Sequence, residues 1–568
     1  MHPSRIRLSL LLLLTSLSHA ASVAPVAAEQ GMVVTAQKYA TEVGVDILQR
    51  GGNAIDAAVA VGYALAVVYP AAGNLGGGGF MTVQLADGRK TFIDFREKAP
   101  LAASANMYLD DKGELISGAS TRGYRAVAVP GTVAGLELAR QRYGKLPRKD
   151  LLAPAIRLAE QGFVLDAGDV AMLSAATEDF RKDAPSAAIF LNKGAPWQAG
   201  DNLQQKDLAA TLRQIEANGA DGFYHGPVAA ALVAASQQGG GLIRQADLDQ
   251  YRARELAPIE CDYRGYHIVS APPPSSGGVV ICEILNIVEG YPLGKLGFGS
   301  SAALHVQIEA MRRAYADRNR LLGDPDFVNN PVARLTDKAY AARARASIKP
   351  DRASRASDIA SGVSAEEGSN TTHYSIADRA GNVVAVTYTL NGWFGAGVTA
   401  AGTGVLLNNE MDDFTSKVGS ANQFGLVQGE PNIIAPGKRP LSSMSPTIVS
   451  KDGKPLLVLG TPGGSRIPTT VLQTLWNVLD YGMNLQEAVN APRIHQQWQP
   501  ETTFHEPQAL SSTVQEQLIA MGHSFKASRP GNHIAAIMIG APSLAAKPDG
   551  KFYGANDPRR GTGLAKGF

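Results

Sequence analysis

A run of small and polar residues, Arg352 to Asn370, divides the sequence into two parts with different patterns. The run is rich in Ser, Ala and Gly and has few large apolar residues, which is typical of a linker. Before it, residues 120 to 260 have mainly helical periodicity. After it, short apolar stretches alternate with turn residues and predict strands, beginning with "THYSIAD". Any fold for this chain must combine a helix-rich part with a strand-rich part.

Two adjacent threonines, Thr371 and Thr372, follow the linker directly. β-Branched residues favour an extended backbone, so the pair can simply open a strand. A second interpretation is that the chain is cut before Thr371, because a threonine at a free N-terminus carries a hydroxyl nucleophile and an amine base on one residue. The local sequence favours the first interpretation, and it leaves the second one open.

The length and charge of the chain limit its class. Its 568 residues are 45% hydrophobic, which is enough for a large core. Lys and Arg number 53 against 51 Asp and Glu, without a block of one sign, so neither nucleic acid nor a membrane surface is indicated as a partner. The ten histidines are scattered, and "HEPQA" at His505 lacks the second histidine of a helical zinc motif, so no metal site is predicted.

The first twenty residues have the layout of a secretory signal peptide. Arg5 and Arg7 precede an apolar core that ends in small residues, and an uncleaved membrane anchor is the alternative. A later apolar stretch contains Asp56 and Pro70, so it predicts a buried helix rather than a membrane span. We expect a periplasmic or secreted protein that has no membrane contact once the signal is removed.

Cys261 and Cys282 are the only cysteines. We predict Cys261 on a strand and Cys282 on the helix that follows "PPPSSGG". Their sequence separation does not define their distance in space, and an oxidising compartment would allow them to pair. We predict two separate buried thiols.

Several polar or small residues stand at predicted strand ends and tight turns, where sites tend to be built. They are Arg96, Thr389, Asn391, Glu410, Asp413, Ser442, Ser443 and the pair Gly463 and Gly464. Each alone has an ordinary structural explanation, such as capping for the serines or a solvated charge for the acids.

Taken together, the motifs resemble the γ-glutamyltranspeptidase family, which belongs to the N-terminal nucleophile hydrolases. The resemblance runs along nearly the whole mature chain, through "GGNAIDAAVA", "GNLGGGGFM", "DFREKAP", "PPPSSGG", "TTHYSIAD", "TYTLN", "LLNNEMDDF", "KRPLSSMSPT" and "GTPGGSRI". It implies a precursor that cleaves its own Asn370–Thr371 bond when the Thr371 hydroxyl attacks the preceding carbonyl. The products would be a large subunit, 21–370, and a small subunit, 371–568, after a signal peptide at 1–20. The implied fold class is α+β, a four-layer αββα sandwich that the two chains form jointly.

The resemblance also implies catalytic roles. Thr371 would be the nucleophile, and its freed α-amine, with a reference pKa of about 7.7–8.0, the general base. Thr389 would hydrogen-bond the nucleophile. The backbone N–H groups near Gly463 and Gly464 would hold the oxyanion.

Substrate binding is implied for the remaining polar residues. Arg96 would bind the α-carboxylate of a γ-glutamyl group with Ser442 and Ser443, since a guanidinium matches a carboxylate in bidentate geometry. The α-ammonium would bind to Asn391, Glu410 and Asp413.

The segment "KVGSANQFGLVQGEPN" resembles the family's lid loop. Phe424 stands where an aromatic phenol is common, so it can shield the site without the hydroxyl contact. Relatives that accept bulky β-lactam side chains are commonly shorter here.

The implied reaction is transfer of a γ-glutamyl group from glutathione or a related amide to water, an amino acid or a peptide, without a cofactor. One alternative is a cephalosporin or glutaryl acylase on the same scaffold, against which Arg96, Glu410 and Asp413 argue. Another is a non-catalytic exported binding protein for amino acids, which would remain one uncleaved chain.

Overall fold

Two seven-stranded sheets form the centre of the protein. The computed structural model describes residues 23–359, 371–529 and 531–568, so the predicted signal peptide and Asn370 lie outside the described residues. Neighbouring strands in both sheets are antiparallel. Sheet I contains, in spatial order, Leu564–Gly567, Gly31–Thr35, Thr372–Asp378, Val383–Thr389, Gly78–Gln84, Lys90–Phe95 and Arg254–Leu256. Sheet II contains Val26–Ala28, Phe552–Asn556, Ala535–Ile539, Lys454–Gly460, Thr447–Lys451, Tyr266–Ser270 and Ile259–Tyr263.

Both sheets take strands from both sides of the linker. In sheet I, the strand Thr372–Asp378 lies between Gly31–Thr35 and Val383–Thr389, and the latter pairs with Gly78–Gln84. Breaking the chain before Thr371 would therefore leave two pieces that remain joined by hydrogen-bond ladders in both sheets. This confirms the prediction that the central sheets draw on both parts of the sequence.

The strands alternate between two apolar faces, as the period of two requires. Val383 and Ala385 lie in a cluster between the sheets, where they face residues of sheet II such as Val458 and Ile537. Their neighbours Val384 and Val386 belong to the core beneath the outer helices.

Helices cover the outer face of each sheet, which confirms the predicted α+β sandwich of four layers. The main helices packed on sheet I are Lys38–Gln49, Ala54–Val68, Thr132–Tyr143, Arg148–Gln161, Ala167–Ala175, Lys206–Asn218 and Gly226–Gln238. Those on sheet II are Gly277–Val288, Ser301–Leu321, Lys338–Ala346, Ile467–Leu479, Leu485–Asn490 and Ser512–Ala520. Every residue of Ala54–Val68 is buried, as its apolar sequence predicts. Within the described ranges, no helix has both the length and the apolar character needed to cross a membrane.

The prediction of two separate thiols is wrong. Cys261 and Cys282 form a disulfide, with their Cα atoms 5.9 Å apart. Cys261 lies on the edge strand Ile259–Tyr263, and the helix Gly277–Val288 that carries Cys282 packs against that strand. This packing brings residues 21 apart in sequence within bridging distance.

Candidate active site

Thr371 and Thr389 meet at one edge of sheet I. The antiparallel register pairs Thr372 with Tyr388. Thr371, which precedes Thr372, therefore lies beside Thr389, which follows Tyr388. The Thr389 hydroxyl lies 3.4 Å from Thr371 Oγ1, to which it donates, and itself accepts the backbone N–H of Asn391 at 2.8 Å. Thr371 is 3% exposed. The hydroxyl that the sequence identifies as a nucleophile is therefore buried and held by a second hydroxyl. Asn370, on the other side of the predicted scissile bond, lies outside the described residues.

Arg96 lies opposite two acids that share one side of a short helix. Glu410–Asp413 is a 3-10 helix, in which residues three apart project in the same direction. Arg96 donates from Nη1 to the Glu410 carboxylate and from Nη2 to Asp413 Oδ2 at 2.5 Å. Its Nε donates to the carbonyl of Pro440 at 3.1 Å.

This ion-pair cluster is almost fully buried. The side chains of Arg96 and Glu410 are each 1% exposed, and that of Asp413 is 11% exposed. Burial alone lowers the pKa of Arg96, but Glu410 and Asp413 outweigh it and raise that pKa above its ordinary value. Arg96 and the two acids thus hold one another through charge-assisted hydrogen bonds.

Glu97 is a member of this cluster that the sequence analysis missed. Its side chain is fully buried, and Glu97 Oε2 lies 3.7 Å from Arg96 Nη1. Burial is the largest cause that raises the pKa of Glu97, to about 7, and it also raises the pKa of the adjacent Glu410. The two carboxyl groups interact directly. Neither Glu97 oxygen nor Glu410 Oε2 has a donor among the described residues, so a proton on either carboxyl would supply the missing donor.

Glu97→Gln is expected to change how stability depends on pH. The folded protein keeps a proton that the unfolded chain loses near pH 4.5, so this group's contribution to the free energy of unfolding falls as pH rises from 4.5 to about 7. A pKa difference of this size corresponds to a change on the order of 3 kcal/mol. Glutamine does not titrate, so thermal unfolding at pH 5 and pH 7.5 should show the variant gaining on the wild type at the higher pH. Glu516→Gln, at an exposed position, is the matched control. Parallel pH curves for wild type and Glu97→Gln would exclude a raised pKa at Glu97.

Ser442 and Ser443 are positioned by the "PPPSSGG" segment. Ser442 N–H donates to the carbonyl of Pro274 at 2.8 Å, and Ser276 donates to the carbonyl of Ser442 through both its N–H and its hydroxyl. The Ser443 hydroxyl accepts a hydrogen bond from Arg318 Nη2 at 3.1 Å. The two hydroxyls are therefore held on a hydrogen-bonded backbone next to a second guanidinium.

Gly463 and Gly464 precede the helix Ile467–Leu479. Their φ angles are +135° and +53°, in the region that favours glycine. A Cβ atom on Gly463 would lie 2.5 Å from the Asn532 side chain, and one on Gly464 would lie 2.5 Å from the Phe424 ring. Among the described residues, no backbone acceptor is found for either N–H group.

Phe424 covers the site from the loop that follows Asp413. It is 3% exposed, and its ring packs on Gly464. The loop is tied to Asp413 by Asn422 Nδ2, which donates to its carboxylate at 3.3 Å, and by Gln428 Nε2, which donates to its carbonyl at 3.0 Å. The ring lines the same cavity as Thr371 and Arg96.

The predicted residues surround one small cavity of about 20 Å³, which holds about one water molecule. Its lining includes Arg96, Thr371, Thr389, Asn391, Glu410, Asp413, Phe424, Ser442, Ser443 and Gly464. Gly463 is not part of this lining.

The cavity also has walls that the sequence analysis missed, chiefly Arg318, Leu426 and Met444. Arg318 stands in a helix among other charged residues, and nothing in its sequence context separates it from a solvated arginine. Glu97 adjoins Arg96 in "DFREKAP", and this adjacency was the one available signal for its place in the site.

The Thr371 hydroxyl and the cluster of Arg96 with two acids line one cavity, and comparison with known proteins identifies the family of the chain. The profile of the family described as Gamma-glutamyltranspeptidase matches residues 40–567. The chain belongs to the γ-glutamyltranspeptidase family. It is thus an enzyme of this family, as the motifs predict.

Similar proteins match this chain over almost its full length. The chain is 68% identical over 553 residues to the glutathione hydrolase proenzyme of Pseudomonas sp. (strain A14), covering 97% of this chain and 96% of that protein. It is 49% identical over 546 residues to the glutathione hydrolase proenzyme of Escherichia coli (strain K12), covering 96% and 93%. A solved structure of cephalosporin acylase from Bacillus halodurans is 28% identical with a TM-score of 0.84, covering 98% of this chain and 99% of that one. The fold of this chain is thus also similar to that of a protein that is named as an acylase.

Proposed function

We propose that this γ-glutamyltranspeptidase is a self-processing glutathione hydrolase and γ-glutamyltransferase. The proposal rests on one observation. Thr371 lines the same cavity as Arg96, Glu410 and Asp413. A hydroxyl nucleophile supplies acyl transfer, and a cation with two acids suits the zwitterionic end of a γ-glutamyl group. The names of the two relatives support glutathione as a substrate and a proenzyme as the first product.

Maturation cuts the Asn370–Thr371 bond and frees the Thr371 amine. That amine then accepts the proton of the Thr371 hydroxyl as Oγ1 adds to the γ-carbonyl of the substrate. The N–H groups of Gly463 and Gly464 stabilise the oxyanion, and Thr389 orients the nucleophile. The C–N bond breaks, the leaving amine takes up the proton, and an ester on Thr371 remains. Water or the amine of an amino acid or peptide cleaves this ester and regenerates the hydroxyl.

Recognition of the γ-glutamyl group exchanges the partners within the cluster. The substrate carboxylate binds to Arg96, Ser442 and Ser443, while its ammonium binds to Asn391, Glu410 and Asp413. Each charge in the empty site thus trades one opposite partner for another and stays compensated. Phe424 closes the site. The subunits are 21–370 and 371–568, and the signal-like first twenty residues support export to the periplasm or the medium.

The second candidate is an acylase, favoured by the likeness to the cephalosporin acylase. An acylase whose acyl group lacks the α-amine would leave Glu410 and Asp413 without a substrate cation. The two activities therefore differ in how they depend on that amine.

A pair of anilides tests the choice. Wild-type enzyme should cleave γ-glutamyl p-nitroanilide with a kcat/KM roughly 1,000-fold or more above that for glutaryl p-nitroanilide, which lacks only the α-amine, because acids built to bind a cation are left unpaired. Asp413→Asn should reduce this ratio, mainly because the γ-glutamyl substrate becomes worse. Asp326→Asn, at a half-exposed position outside the cavity, should leave the ratio unchanged. Similar kcat/KM values for both anilides in the wild type would identify an acylase instead.

A further inference from the structure

Arg318 is a buried guanidinium in the wall of the cavity. It lies on the helix Ser301–Leu321 and is 1% exposed. All its hydrogen bonds go to neutral oxygens: Ser276 Oγ at 3.1 Å, Asn319 Oδ1 at 2.9 Å, Gln428 Oε1 at 2.8 Å and Ser443 Oγ at 3.1 Å. The side chain is thus held rigidly while its charge has no counter-ion among these partners.

This lack of a counter-ion sets Arg318 apart. Among the described residues, Arg318 forms no ion pair, whereas each of the other buried arginines has a carboxylate within 4.0 Å: Arg96, Arg312, Arg313, Arg439 and Arg493. Burying an unpaired charge is costly, so a protein that keeps one usually supplies its partner from a ligand or a metal. Burial lowers the pKa of Arg318 to about 10, which still leaves it charged near neutrality.

Arg318 has one N–H hydrogen near the cavity that is not used in a hydrogen bond to the described residues. Nη2 carries two hydrogens, and one of them donates to Ser443 Oγ. The other has no acceptor among the described residues, and both Arg318 and Ser443 line the cavity. An anion next to Ser443 would complete the hydrogen bonds of Nη2.

We infer that Arg318 binds the α-carboxylate of the γ-glutamyl group directly, so that two guanidiniums recognise this carboxylate. The inference rests on the proposed function. Arg96 is already committed to Glu410 and Asp413 in the empty site. Arg318 forms no ion pair with those acids among the described residues, and its fork, held by neutral oxygens, orients the carboxylate beside Ser443. Substrates that lack this carboxylate gain nothing from Arg318.

Substrate truncation separates this role from a structural one. 4-Aminobutanoyl p-nitroanilide differs from γ-glutamyl p-nitroanilide only by the missing α-carboxylate. Arg318→Met should lower kcat/KM for the γ-glutamyl anilide by roughly 100-fold, mainly through KM. The same variant should change kcat/KM for the 4-aminobutanoyl anilide by less than about 3-fold. Arg320→Met, two residues along the same helix and exposed, should leave both values unchanged.

The outcomes are distinct. Should Arg318→Met fail to mature, Arg318→Lys keeps the charge and should still lower the ratio of the two kcat/KM values, because an ammonium cannot reproduce the fork. An equal loss on both anilides in the variants would overturn the inference and assign Arg318 a packing role. A wild-type enzyme that does not cleave the γ-glutamyl anilide would instead overturn the proposed function.

Discussion

Replacing Thr371 by alanine is expected to give a single, uncleaved and inactive polypeptide. The substitution removes the only group proposed to attack both the Asn370 carbonyl and the substrate. The loss of kcat should therefore be on the order of 10⁴-fold or more, as for other covalent nucleophiles. A denaturing gel and intact mass measure the cleavage, and N-terminal sequencing of the wild type should find a chain that begins Thr-Thr-His-Tyr.

The neighbouring threonine provides a matched control. Thr372 is fully buried, and its hydroxyl has no hydrogen-bond partner among the described residues. Thr372→Ala should therefore mature and retain activity. If purified Thr371→Ala still splits at the Asn370–Thr371 bond, another protease makes the cut and the proposed maturation is wrong.

Arg96→Lys is expected to mature normally and then to lose roughly 100-fold or more in kcat/KM for γ-glutamyl p-nitroanilide. A guanidinium contacts Glu410, Asp413 and the Pro440 carbonyl from three different nitrogens. Lysine is a point charge at the end of a flexible chain, so it leaves part of this buried cluster unpaired. Steady-state kinetics on the fully cleaved variant measure the effect.

Arg254→Lys tests whether any arginine near the sheet edge would give the same loss. Arg254 pairs with Asp94 and Asp326 outside the cavity. The kcat/KM of the Arg254→Lys variant should therefore stay near that of the wild type. Unchanged kinetics in cleaved Arg96→Lys would remove Arg96 from the substrate site and strengthen the acylase alternative.

We infer that the two arginines of this γ-glutamyltranspeptidase have different roles, because Arg96 is paired with two acids and Arg318 is paired with none of the described acids. Arg96 keeps Glu410 and Asp413 in place before the substrate arrives. Arg318 provides attraction that the empty site leaves unused.

Local patterns determined much of this protein from its sequence. Alternation in "NVVAVTYTLN" predicts the strand Val383–Thr389 with its two apolar faces, and the spacing of Glu410 and Asp413 puts both acids on one side of a turn. The strand and the turn depend on neighbours within a few residues, and periodicity and turn chemistry describe such neighbours well. The site residues, by contrast, were grouped by the family resemblance, and ten of them line one cavity in the structure.

Tertiary structure alone decided the rest. The disulfide of Cys261 and Cys282 depends on how a helix packs against an edge strand, and no spacing rule encodes that distance. Arg318 has the sequence context of an ordinary surface arginine. It acquires an unpaired charge only because distant segments supply neutral oxygens from Ser276, Gln428 and Ser443. Burial and charge compensation are sums over neighbours that are remote in sequence, so only the folded chain determines which charge is left for a substrate.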